Sequence, residues 1–61
     1  MIDFSMMIGT NVLLKKIPHP GIFEAHILKV STNGQFVNLR LQNGEIVWEE
    51  VDQLQLAEHL E

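Results

Sequence analysis

Phe36 to Glu50 reads FVNLRLQNGEIVWEE, and Asn43-Gly44 divides it into two runs of alternating apolar and polar residues. A period of two marks a half-buried strand, and Asn-Gly supplies the positive φ that both central residues of a type I′ turn require. The spacing predicts a β-hairpin in which Gln42 and Glu45 flank a two-residue loop. Counting outward pairs Leu41 with Ile46, Leu39 with Trp48 and Val37 with Glu50. Arg40 then lies opposite Val47, and Asn38 opposite Glu49, on the other face. In this register Trp48 is a core side chain and Val47 points outward.

The flanking segments extend the β pattern. Asn11 to Ile17 reads as a first strand with Val12 and Leu14 on one face and Leu13 and Lys15 on the other. Pro18-His19-Pro20-Gly21 is a loop, because neither proline donates a backbone hydrogen bond. In the second strand, Ile22 to Val30, a two-residue turn at Asn33-Gly34 pairs Val30 with Val37, which conflicts with an apolar face made of Phe23, Ala25 and Ile27. One extra residue near Leu28 and Lys29, a β-bulge, brings all four inward and bends the strand. Val51 to Leu54 reads as a single 3₁₀ turn, Gln55-Leu56 as a brief fifth strand, and residues 57–61 as a frayed tail. Leu60-Glu61 has the composition of a cloning remnant. Residues 1–8, MIDFSMMI, form an apolar arm that packs either on its own domain or on a neighbouring subunit.

At 61 residues the chain makes one domain, and a chain of this size buries only about 60 % of its unfolded surface. It has no cysteine, hence no disulfide and no thiolate site, which points to a reducing, cytoplasmic setting. No apolar run approaches a membrane span, and Met1 to Ile8 carries Asp3 without a basic flank, unlike a signal peptide. A small core without disulfide or metal rarely yields more than about 3–5 kcal/mol, so association is a ready source of further stability. Eight acidic residues against four basic ones oppose contact with nucleic-acid phosphates.

Five short strands with a 3₁₀ turn before the last resemble the SH3-like barrel, an all-β fold, here spanning residues 9–56. Within that group the chain looks most like Tudor-like domains. Their second strand often reads aromatic, any, Ala, any, aliphatic, as Phe23-Glu24-Ala25-His26-Ile27 does, and Trp48-Glu49-Glu50-Val51-Asp52-Gln53-Leu54 is similar to their ending. Tudor domains that read methylated Lys or Arg hold the cation in a cage of aromatic faces. Phe23 matches one cage position, whereas Lys16, Arg40 and Asn43 stand at the others, so the resemblance implies the barrel without the cage. The proline-peptide groove of SH3 domains needs several Tyr and Trp, and this chain has no Tyr.

Catalytic and metal chemistry find no pattern. His19, His26 and His59 have no metal-ligand spacing, Glu49 and Glu50 are adjacent on a strand and face opposite ways, and Ser5 and Ser31 lack a recognisable base. No cofactor is expected. The leading expectation is a non-enzymatic protein-interaction module that self-associates through apolar surface. Its candidate interface comprises Phe4, Met6 and Met7 of the arm with Leu13, Leu28, Phe36, Arg40 and Val47 on the outward strand face. The alternatives are an oligomeric small-barrel enzyme with its site at the subunit axis, as in plasmid-borne reductases, and a nucleic-acid accessory domain using Lys15, Lys16, Lys29 and Arg40.

Overall fold

In the computed structural model residues 2–60 are described; Met1 of the arm and Glu61 of the tail lie outside them. Five strands, β1 (Asn11–Lys16), β2 (Ile22–Val30), β3 (Phe36–Leu41), β4 (Ile46–Glu50) and β5 (Leu54–His59), form one antiparallel sheet in the order β4-β3-β2-β1-β5. The chain is therefore all-β, and the 3₁₀ turn at Val51–Gln53 precedes the last strand as expected. A second 3₁₀ turn, Phe4–Met7, occupies the N-terminal arm.

The inward face follows the alternation in β1 and β2. Val12 and Leu14 are buried, as are Ala25 and Ile27. The β2–β3 register shifts between Ile27 and Lys29, so that Ile27 pairs with Leu39 while Val30 pairs with Val37. This is the bulge that the two apolar phases of β2 require. Residues 31–35 connect the two strands by a loop longer than the expected two-residue turn, with the Ser31 N–H donating to Phe36 O at 2.9 Å and the Gly34 N–H donating to Ser31 O at 2.9 Å.

The β3–β4 hairpin departs from the sequence reading by one residue. Leu39 pairs with Val47, Asn38 with Trp48 and Arg40 with Ile46. The Gly44 N–H donates to Leu41 O at 2.9 Å and the Leu41 N–H to Glu45 O at 2.8 Å, which makes a three-residue loop of Gln42, Asn43 and Gly44. Positive φ (+89°) falls on Gly44, the position that a type I turn followed by a G1 bulge demands. Asn43 contributes through its side chain, whose Oδ1 accepts the Glu45 N–H at 2.9 Å. Because strand side chains alternate, the one-residue shift exchanges the faces of β4. Val47 turns inward against the core, and Trp48 is 51 % exposed.

The C-terminal segment is also more ordered than a frayed tail. β5 continues to His59, which pairs with Val12 past a register shift at Leu13/Leu14, and the Leu60 N–H donates to Asn11 O at 2.8 Å. Pairing satisfies the outer backbone groups of β1, which would otherwise stand open.

The arm completes the core. Asp3 caps its 3₁₀ turn by accepting the Ser5 N–H at 3.1 Å, and Phe4, 2 % exposed, packs with Met7 among Val12, Leu14, Ile27 and Leu39. The Gly9 N–H donates to Ile27 O at 2.9 Å and the Ile27 N–H to Thr10 O at 3.0 Å, fastening the arm to β2 beside its bulge.

Phe4→Ala is expected to unfold the domain at ordinary temperature. Truncating a core Phe costs about 3–5 kcal/mol, which matches the whole margin that a core of this size supplies; circular dichroism checks it. Gly44→Val has open space around its Cβ, so its effect comes from the backbone alone. Forcing an L side chain into this conformation costs about 1–2 kcal/mol, and thermal melting should drop by roughly 4–8 °C per kcal/mol.

Candidate interaction face

Two cross-strand rows meet on the outward face of β2, β3 and β4. One runs Lys29, Asn38, Trp48, and the next runs Asn11, His26, Arg40, Ile46. Phe36, opposite Glu50, continues the face at the start of β3. Phe36, Ile46 and Trp48 are 42 %, 61 % and 51 % exposed. Trp48 lies diagonally across the β3–β4 pair from Phe36 and from Arg40, within reach of long and aromatic side chains.

Asn38 makes this face possible. It is a polar residue only 5 % exposed, and its Nδ2 donates to Val47 O at 3.1 Å, so its burial leaves no orphaned group. Lys29 and Trp48 stand on either side of it in the same row, and Lys29 Nζ lies 5.7 Å from the Trp48 ring centroid. The lysine stem and the indole therefore close over Asn38. The cation–π contact, about 0.5–1 kcal/mol at an exposed site, orients the ring as well.

Arg40 is exposed between Ile46 and His26, at the border between apolar and polar ground. Beyond it lies a cleft of about 190 Å³ lined by Asn11, Glu24, His26, Arg40 and Gln42 among others. His26 Nδ1 lies 2.8 Å from Asn11 Oδ1, and Gln42 Nε2 donates to Glu24 Oε1 at 3.4 Å.

The residues named from the sequence divide accordingly. Phe36 and Arg40 stand on this face, and Leu13 and Leu28 are half-buried. Val47 faces the core because of the register shift. Phe4 and Met7 belong to the core, and among the described residues of the arm Met6, 80 % exposed, and Ile8 are the outward apolar side chains. Trp48 and Ile46 take the place of Val47, a substitution whose only trace in the sequence is the ability of Asn43 to act through its side chain.

The cage positions implied by the resemblance are only partly gathered. Lys16, Phe23 and Asn43 line a cleft of about 340 Å³ with Leu41 and Glu49, and Lys16 Nζ pairs with Glu49 Oε1 at 2.9 Å. Phe23 is the one ring there, and Arg40 lies in the other cleft. Among the described residues no group of three His, Cys, Asp or Glu is placed to hold a metal ion, and no helix is long and apolar enough to cross a membrane.

Trp48→Ala is expected to melt close to the parent protein, losing little beyond the contact with Lys29, about 1 kcal/mol. A collapse like that of Phe4→Ala would return Trp48 to the core and restore the two-residue hairpin.

Comparison with known proteins returns no matching family model, no matching curated protein and no matching solved structure.

Proposed function

We propose that this domain is a non-enzymatic protein-interaction module that self-associates through the outer face of β3 and β4. Its scaffold is an SH3-like barrel of the Tudor-like kind without the aromatic cage, a reading supported by the return of β5 to β1 after a 3₁₀ turn. The observation that carries the function is the joint exposure of Phe36, Ile46 and Trp48 on two adjacent strands. Large apolar side chains grouped on one face mark interaction surfaces, and aromatic residues dominate the energetics of such contacts.

Copies meet face to face in this proposal. β4 ends the sheet order, but Glu45 stands just before it and Glu50 at its end, and like charge at an edge opposes pairing of two such edges. Apolar burial contributes about 25 cal/mol per Å², set against an association cost of about 4–15 kcal/mol. Modest affinity and a strong dependence on concentration follow.

Light scattering across a concentration series tests the proposal. Trp48→Glu or Phe36→Glu should lower the oligomer order, whereas 1 M salt should not, since apolar contact is not screened as exposed charges are. Trp48 is the sole indole, so its fluorescence should become protected from acrylamide as the concentration rises. A monomer at every concentration, with Trp48 always open to quencher, would end this reading.

A further inference from the structure

We infer that the same face docks an extended protein segment that carries carboxylates beside apolar side chains. The inference rests on the outer face being the interaction surface, and it adds the chemistry of a heterologous partner.

Charge placement carries the inference. The chain has twice as many acidic residues as basic ones, eight against four, yet Lys29 and Arg40 both stand in the middle rows of this face, with His26 next to Arg40. Lys16, by contrast, is held by Glu49 near the other cleft. Among the described residues the acidic side chains of this face lie at its margins, with Glu50 beyond Phe36 and Glu24 at the far wall of the polar cleft. The result is a cationic centre bordered by Trp48 and Ile46 on one side and by a hydrogen-bonding cleft on the other.

The geometry selects the occupant. Lys29 pairs with Asn38, and Arg40 lies two residues from Asn38 along β3, so the Cα atoms of the two residues are one strand and two residues apart, with the Lys29 ammonium leaning toward Trp48. That offset is about 8 Å from strand spacing and rise. Carboxylates on alternate residues of an extended peptide are about 7 Å apart and project to the same side. Such a pair can meet Lys29 and Arg40 on a segment that crosses β2 and β3 diagonally, with Ile46 beside its continuation over β4 and Trp48 flanking the Lys29 ammonium. Arg presents a planar fork of donors to one carboxylate, and His26 and Gln42 lie beside it to extend the polar contact.

A nucleic-acid strand fits less well. Its continuous phosphates would have to pass Glu50 and Glu24 and approach a chain of net charge −4, whereas a peptide places its charges only where the cations are.

Fluorescence anisotropy provides the test, with a labelled extended peptide carrying glutamates at two alternate positions and leucine and phenylalanine at the next two. The peptide is expected to bind, with about tenfold loss, or about 1.4 kcal/mol, when its glutamates become glutamines. The double variant Lys29→Gln with Arg40→Gln should show the same loss; both side chains are exposed, and melting controls for folding. Salt should weaken this binding while leaving self-association in place. Absence of peptide binding, equal binding of the glutamine peptide, equal binding by the double variant, or tighter binding of labelled oligothymidine would each overturn the inference. Wild-type protein that oligomerises through Trp48 yet ignores the peptide would defeat this inference and leave the self-association reading intact. A monomer that binds the peptide through Lys29 and Arg40 would do the reverse.

Discussion

The register between β3 and β4 governs what this domain buries and what it shows. In a two-residue type I′ turn both Asn43 and Gly44 take positive φ, and Trp48 enters the core. In the observed loop the positive φ rests on Gly44, and Asn43 instead accepts the Glu45 N–H through its side chain. Both arrangements use the same dipeptide and differ by one residue of pairing. Yet strand side chains alternate, so that residue decides whether an indole or a valine packs against Leu39. The choice is consistent with the volume available. Phe4 and Met7 already occupy the core beside Leu39 and Ile27, and a second large ring inserted there would overpack it.

The arm and the hairpin are therefore linked through the core. A chain of 61 residues has few elements with which to cover a five-stranded sheet, and residues ahead of the first strand supply two of its buried side chains. The bulge at Leu28 serves the same end. It keeps Ile27 and Val30 on one face across a change of phase, and next to it the backbone of Ile27 holds Gly9 and Thr10 by hydrogen bonds. A local irregularity of β2 thus positions both the arm and the register with β3.

Most of the architecture was legible because it depends on apolar spacing. Val12 and Leu14, the conflict of phase in β2, and the punctuation by Pro18, Pro20 and Asn33-Gly34 all report directly on burial or backbone freedom. β5 was legible only at its start. After Leu54 its residues are exposed, so no alternation marks them, and pairing with β1 is a backbone matter that side chains do not announce. The candidate face was half legible. Phe36 and Arg40 lie on β3, whose alternation is independent of the turn, whereas the contribution of β4 depended on a choice between two loops that the same Asn-Gly permits.

Asn38 explains how a face can be both exposed and defined. Flat apolar strands are prone to slip in register, but a buried amide in the middle of the face donates to Val47 O, and slippage by one residue would strand it without a partner. The covering of that amide by Lys29 and Trp48 fixes their orientation in turn. A cation and an indole held together over a polar anchor lose less conformational entropy on contact than the same side chains would if free. The feature that protects the hairpin register is thus the one that sets the shape of the outward face.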